Sequence, residues 1–129
     1  MRTRTLNKVI LIGNVVRKPE LNKTIKGESV CNFHLITDRR WRTSLGEERE
    51  ESTRHNCLAW SKLAEICHTL LDKGSLVYIE GNLTERKVTR PNQIEATETE
   101  IVISVNEMML MNSNRKEPAN GIEGNYSPN

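Results

Sequence analysis

The residues with the clearest chemical potential in this chain are an indole and the guanidinium groups around it, in the run Asp38-Arg39-Arg40-Trp41-Arg42. Charged neighbours at this density resist transfer of Trp41 into a low-dielectric core. A flat aromatic ring among cations is suited to stacking on nucleobases while the cations hold phosphates. The alternative is a half-exposed tryptophan that packs at a strand end among solvated arginines. We interpret Trp41 as a stacking residue and Arg39, Arg40 and Arg42 as phosphate contacts.

The overall charge does not by itself identify a nucleic-acid-binding protein. The 129 residues carry 19 Lys and Arg against 17 Asp and Glu, a formal net charge of +2. A chain of this length forms one domain with its own core and needs no disulfide or metal. Any site for a polyanion must therefore come from local charge placement. The acidic cluster Glu47-Glu48-Glu50-Glu51 is interpreted as a solvated hairpin loop.

The cysteine and histidine patterns argue against catalysis and metal binding. Cys31, Cys57 and Cys67 are odd in number and widely spaced, which predicts buried, reduced thiols in a cytosol-like compartment. The three histidines share no metal-ligand spacing, and the sequence contains no phosphate loop or paired acid-base constellation. We therefore expect no enzyme activity, no cofactor and no metal.

No segment of the sequence is expected to enter a membrane. The basic start, residues 1–8, is followed by an apolar run that stops at Gly13-Asn14, and no apolar stretch reaches 18 residues. We expect a soluble cytoplasmic protein.

Hydrophobic periodicity predicts strands, then one helix, then more strands. Leu63, Ile66, Cys67, Leu70 and Leu71 recur with helical spacing, which predicts a helix that begins at an N-cap on Ser61 and ends at Lys73-Gly74. The predicted strands cover residues 6–16, 29–37, 52–60, 75–81 and 97–111. Gly13 inside the first strand predicts a bulge or bend, Cys31, Phe33 and Leu35 share one face of the second strand, and the strand 75–81 ends at a turn at Gly81. The polar segment 82–96, with Pro91-Asn92 at its middle, predicts an extended β-hairpin arm. Residues 112–129 are rich in turn formers and predict a disordered C-terminal tail.

This order predicts a mainly β fold, a five-stranded OB-fold Greek-key barrel over residues 1–111 with one α-helix between strands 3 and 4. A generic α+β sandwich also fits the periodicity.

Several segments in order resemble the bacterial single-stranded DNA-binding protein family over residues 6–111. They are Asn7-Lys8-Val9-Ile10-Leu11-Ile12-Gly13-Asn14, Lys18-Pro19-Glu20-Leu21, Ala59-Trp60-Ser61-Lys62-Leu63-Ala64-Glu65, Lys73-Gly74-Ser75-Leu76-Val77-Tyr78-Ile79-Glu80-Gly81, Arg86-Lys87 and Thr99-Glu100-Ile101-Val102. The resemblance implies a non-enzymatic homotetramer that wraps single-stranded DNA without strong sequence preference.

The resemblance also assigns roles to individual positions of this sequence. Trp41 and Trp60 match aromatic positions that stack on bases, and His55 matches a histidine associated with subunit contacts. The matching basic positions that approach phosphates are Lys8, Lys62, Lys73, Arg86 and Lys87.

Three departures from the family pattern change the expected binding. Arg54 replaces a tryptophan before His55, and Val88 replaces a tryptophan after Arg86-Lys87. A guanidinium plane can stack on a base, so Arg54 is expected to compensate in part. We expect binding that is weaker or more salt-dependent than in relatives richer in tryptophan. The acidic tip that recruits replication and repair enzymes in the family is also absent, which puts those partners in doubt.

The sequence therefore predicts a nucleoid-associated protein that coats single-stranded DNA in replication, recombination and repair. The alternative function is a primosome-type OB-fold subunit that chiefly docks proteins and binds DNA secondarily.

Overall fold

The computed structural model describes residues 4–89 and 98–112, where β-branched and alternating runs form six strands and the amphipathic run forms one helix. In chain order these elements are β1 Val9–Val15, β2 Glu20–Lys23, β3 Ser29–Arg42, β4 Glu48–Trp60, α1 Ser61–Leu70, β5 Leu76–Val88 and β6 Glu98–Asn112.

Five of the strands close into a barrel in the order β1-β5-β6-β4-β3, and the short β2 extends the sheet beyond β3. Closure comes from β1, which pairs with β5 along most of its length and with β3 at Asn14 and Val15. The helix follows the third barrel strand and precedes the fourth. The predicted five-stranded barrel with an interposed helix is therefore confirmed.

Gly13 lies where β1 passes from one partner strand to the other. A Cβ atom at this position would meet the backbone oxygen of Ile36 at 2.6 Å, which is closer than carbon and oxygen approach each other. The sequence predicted a bend at this glycine, and the structure adds the physical reason, the close approach of β1 to β3.

The interior of the barrel is filled by alternate residues of the strands. On β3 the buried residues are Cys31, Phe33 and Leu35, as the alternation of the sequence predicts. Cys57 and Cys67 join them, and all three cysteines are free thiols without solvent exposure, so their predicted burial is confirmed.

Both predicted ends of the helix are wrong. Trp60 is the N-cap, and its backbone is extended because β4 pairs with β3 up to this residue. Ser61 is the first helical residue and has a φ of 55°. At the other end α1 stops at Leu70 instead of Gly74, which has φ of 89° in the following turn. The carbonyl oxygens of His68 and Leu71 instead accept hydrogen bonds from Lys18 Nζ, at 2.6 and 3.1 Å. This capping cation lies about 50 residues away in sequence, so local signals could not indicate it.

The strand boundaries also differ from the sequence-based expectation. β5 runs without interruption through Gly81 to Val88, so the predicted turn at Gly81 is wrong, and β4 begins at Glu48 rather than at Ser52. The short β2 was not predicted. β5 and β6 pair outward as far as Val88 and Glu98, as an extended arm requires, but Pro91-Asn92 lies outside the described residues. The predicted tail also lies outside them, apart from Asn112, which ends β6.

Candidate nucleic-acid interface

Trp41 lies on the long ribbon formed by the outer halves of β3 and β4, directly opposite Arg49. The indole is 39% exposed and borders a groove of about 520 Å³. The guanidinium carbon of Arg39 lies 4.0 Å from the centroid of the ring, a cation–π contact within the chain. A base that stacks on Trp41 would therefore have to use the part of the ring that Arg39 leaves exposed.

Every arginine of this ribbon from residue 39 to residue 49 is paired with a carboxylate. The N···O distances are 3.3 Å for Arg39–Glu51, 3.6 Å for Arg40–Glu50, 2.9 Å for Arg42–Glu48 and 2.8 Å for Arg49–Glu47. We call these four ion pairs the hairpin ladder. Exposed pairs of this kind add little stability, but each carboxylate lowers the positive potential that a phosphate would meet.

Trp60 and Trp41 lie on opposite faces of the β3–β4 sheet. Trp60 pairs with Val30 and Trp41 pairs with Arg49, in one register without irregularity. Since alternate residues of a strand point to opposite faces, Trp41 shares the face of core residues such as Leu35, whereas Trp60 lies on the outer face.

A groove of about 390 Å³ lies beside Trp60 on the outer face, where β4, β5 and β6 meet. Its apolar base includes Leu58 and Val102, which are 7% and 1% exposed. Trp60, 39% exposed, and Arg86 border the groove. Arg86 Nε donates a hydrogen bond of 2.6 Å to Glu100 Oε2. The structure thus brings two predicted site residues, Trp60 and Arg86, to one concave surface.

Arg54 lies on the same outer face as Trp60. Arg54 pairs with Ile36 and the next outward residue of β4, Asn56, pairs with His34, so Arg54 and His34 are diagonal neighbours across the two strands. Its side chain is exposed, and within the described residues it forms no ion pair or hydrogen bond. Arg54 therefore differs from the arginines of the hairpin ladder, each of which has a carboxylate partner.

Sequence reasoning missed two residues beside Arg54, namely His34 and Arg17. Burial lowers the pKa of His34, and the positive charges of Arg54, Arg17 and Arg86 lower it further, against a smaller opposing effect of Glu100. Val16, the residue before Arg17, donates its N–H in a hydrogen bond of 3.0 Å to the carbonyl oxygen of His34 where the barrel closes. This backbone contact brings Arg17 next to His34. The alternation on β3 could have placed His34 outward, but no local signal links it to Arg17.

The predicted lysines are spread over the molecule. Lys8 lies 3.7 Å from Glu80 at the start of β1, Lys62 is exposed in the first turn of α1, and Lys87 is exposed on β5. Lys73 is exposed in the turn after the helix. Within the described residues, none of these four lysines borders the groove beside Trp60.

His55 lies on the inner face of the sheet, opposite Leu35, and is half-buried. Its Nε2 shares a hydrogen bond of 2.9 Å with Thr37 Oγ1, and burial lowers its pKa. The ring is therefore held in place by a local contact.

The thiols and acidic groups form no reactive or metal-binding constellation in the described part of the chain. Burial raises the pKa of Cys31 to about 11 and the pKa values of Cys57 and Cys67 to about 12, so all three remain protonated at neutral pH. Between residues 4–89 and 98–112, no three His, Cys, Asp or Glu side chains are arranged to hold a metal ion. No helix in these ranges is long and apolar enough to cross a membrane.

Comparison with known proteins places this geometry in context. The model of the single-strand binding protein family matches residues 6–111. Two curated single-stranded DNA-binding proteins, from Neisseria meningitidis serogroup A strain Z2491 and serogroup B strain MC58, are each 42% identical over 117 residues. The alignments cover 91% of this chain and 66% of each relative, so the chain spans slightly less than two thirds of their length.

Two solved structures share the fold. The Plasmodium falciparum SSB, solved as a complex with ssDNA, superposes with a TM-score of 0.73 and 24% identity over 87% of this chain and all of that one. A deletion mutant of the single-stranded DNA-binding protein from Thermus aquaticus superposes with a TM-score of 0.70 and 24% identity over 90% of this chain and 52% of that one. At this level of identity the two structures support the OB-fold barrel.

Proposed function

This chain belongs to the single-strand binding protein family, and from that premise we propose that it binds and coats single-stranded DNA with little sequence specificity. The observation that carries the proposal is the outer face of the barrel, where the exposed ring of Trp60 and the guanidinium of Arg86 border one apolar groove. An aromatic platform beside a cation binds any base by stacking and any nucleotide by its phosphate.

Binding combines contacts of two kinds. Trp60 and Trp41 stack on bases, and Arg54 offers a third planar group. The sequence-predicted phosphate contacts are Lys8, Arg39, Arg40, Arg42, Lys62, Lys73, Arg86 and Lys87. Among them the arginines of the hairpin ladder and Arg86 must give up or share a carboxylate partner, so we expect a marked dependence of affinity on salt.

We expect the protein to bind cytoplasmic DNA during replication, recombination and repair. It catalyses no reaction in this proposal. The proposed DNA-binding domain is the barrel of residues 1–111. Coating of DNA requires only accessible stacking and charged groups. The described cysteines are buried and protonated, so their thiols do not supply a nucleophile.

The barrel assembles as a homotetramer. Support comes from the sheet face of β1, β5 and β6, where Ile12 pairs with Tyr78 and Tyr78 pairs with Met109. Ile10, Ile12 and Met109 are each at least 50% exposed. Ile12, Tyr78 and Met109 thus form an apolar row across three strands, beside the mixed row of Ile10, Glu80 and Glu107. An exposed apolar row of this kind is typical of an interface between subunits. His55 is expected to contribute to a subunit contact.

The test is a titration of the purified protein with oligo(dT), followed through its two tryptophans at low and moderate salt. We expect strong quenching, and a log–log salt slope of about −0.7 per phosphate neutralised. Trp60→Ala and Trp41→Ala should each cost on the order of 1–3 kcal/mol of binding free energy. Absence of binding at low salt would overturn the proposal and favour the alternative, a primosome-type subunit that docks proteins.

A further inference from the structure

A second cationic surface lies next to the groove beside Trp60, and of its three members the sequence indicated only Arg54. Arg54 on β4 is the diagonal cross-strand neighbour of His34 on β3, and Arg17 follows Val16, whose N–H donates a hydrogen bond of 3.0 Å to the carbonyl oxygen of His34. Arg17 and His34 also border a hollow of about 200 Å³. Three separate elements thus bring two guanidinium groups and an imidazole together on the outer face of the barrel.

The two guanidinium groups differ from the other arginines of the interface in having no carboxylate partner. Among the residues that the structure describes, neither Arg17 nor Arg54 forms an ion pair or a hydrogen bond, whereas Arg86 is bonded to Glu100 and the hairpin ladder is fully paired. A phosphate that approaches Arg17 and Arg54 displaces no carboxylate. Two further charged groups border the hollow, the cation of Lys18 and the carboxylate of Glu20, and the carboxylate of Glu100 also acts on His34.

We propose that Arg17, His34 and Arg54 form a binding site for a backbone phosphate of single-stranded DNA, and that DNA binding there is accompanied by uptake of a proton on His34. The site rests on the proposed function and extends the path of the strand from Trp60 and Arg86 across the outer face of β3. It contains two residues, Arg17 and His34, that neither the local motif nor the family resemblance selected.

The linkage to protons follows from the charges around the imidazole. In the free protein His34 is neutral at pH 7, since burial and the cations Arg54, Arg17 and Arg86 lower its pKa and the carboxylate of Glu100 opposes them less. A bound phosphate neutralises those cations and offers an acceptor for an imidazolium N–H, so the pKa of His34 rises. Affinity for DNA should therefore increase as pH falls from about 7.5 to about 5.5.

The experiment compares Arg17→Gln, Arg54→Gln and His34→Gln with the wild-type protein in oligo(dT) titrations, because thymine does not titrate in this pH range. We expect Arg17→Gln and Arg54→Gln each to weaken binding about tenfold and to reduce the salt slope by about 0.7. His34→Gln should remove the gain in affinity at low pH. Lys23→Gln, which removes an exposed charge at the end of β2, outside both grooves and the hollow, is the matched control and should bind as the wild type does.

An independent readout needs no variant to remain folded. The pKa of His34, followed by NMR in the wild-type protein, should rise on addition of oligo(dT). If the wild type binds oligo(dT) but the pKa of His34 stays constant and the arginine variants match Lys23→Gln, the phosphate site is wrong and the proposed function stands. If the wild type does not bind oligo(dT) at all, the proposed function fails and this site fails with it.

Discussion

At the scale of single residues, a carboxylate partner determines how available an arginine is to a phosphate. Arg40 and Arg54 both lie on the outer face of β3 and β4, but Arg40 is held 3.6 Å from Glu50 and Arg54 has no such partner among the described residues. A surface ion pair contributes little to stability and is screened by salt. Under the proposed function, its larger effect is to compete with DNA for the same guanidinium.

This competition predicts a gain of function. Glu50→Gln should leave Arg40 unpaired, raise affinity for oligo(dT) about threefold to fivefold at low salt, and steepen the salt slope by about 0.7. The measurement is tryptophan quenching at several salt concentrations. Glu65→Gln, an equal change of charge at an exposed position of α1 outside the hairpin and both grooves, is the control. Equal behaviour of the two variants would show that the ladder does not restrain the arginines.

The types of the site residues were predictable from the sequence, but their pairing was not. The run around Trp41 predicted an exposed aromatic ring among cations, and in the structure that ring is 39% exposed. The four glutamates were interpreted as a solvated loop, since cross-strand register could not be read from one strand alone. The register places a carboxylate opposite or beside every arginine of the ladder.

At the scale of secondary-structure elements, close contacts between strands explain both interior glycines of the barrel. β5 crosses β6 with a register shift between Glu80 and Gly81, and a Cβ atom on Gly81 would lie 2.1 Å from the backbone oxygen of Ser104. A backbone oxygen cannot move aside as a flexible side chain can. Gly81 therefore permits the bulge that lets β5 continue into the arm instead of ending at a turn.

Gly81→Ala should consequently destabilise the barrel, by about 3 kcal/mol or more in the free energy of unfolding. Chemical denaturation followed by tryptophan fluorescence measures this change. Glu85→Ala, an exposed position of the same strand, should stay within about 0.5 kcal/mol of the wild type. A Gly81→Ala variant as stable as Glu85→Ala would show that the two strands can separate at low cost.

The helix illustrates the limit of local signals at this scale. Its existence followed from apolar periodicity, and Ala64 and Cys67 are buried as an inward face requires. Its ends were mispredicted because strand pairing holds Trp60 in an extended conformation, and because Lys18 satisfies carbonyl groups at the C-terminus. Both influences come from distant parts of the chain.

At the scale of the whole molecule, the barrel presents two surfaces of different character. The outer face of β3 and β4 carries Trp60 and Arg54, whereas the face of β1, β5 and β6 carries Ile10, Ile12 and Met109. Proposed DNA binding and proposed assembly therefore use different surfaces, and a tetramer built through the apolar face leaves the cationic face exposed.

This separation predicts the outcome of a charge placed in the apolar face. Ile12→Glu should lower the mass measured by light scattering below that of four chains, because a carboxylate at a buried interface is costly. Ile25→Glu provides the control, since Ile25 is fully exposed in the turn between β2 and β3. A wild-type protein that is already monomeric would contradict the proposed assembly.

The sequence by itself determined the class of the fold and indicated the kind of ligand that we propose. Period-2 alternation, one amphipathic run and an aromatic among arginines are local patterns, and each reflects the environment of a residue and its near neighbours. Tertiary structure alone decided which charges are available. Closure of β1 onto β3 brings Arg17 to His34, and pairing of β3 with β4 gives Arg39, Arg40 and Arg42 their glutamates. Electrostatic interactions depend on distance in space, and in a barrel that distance is set by strand register and closure.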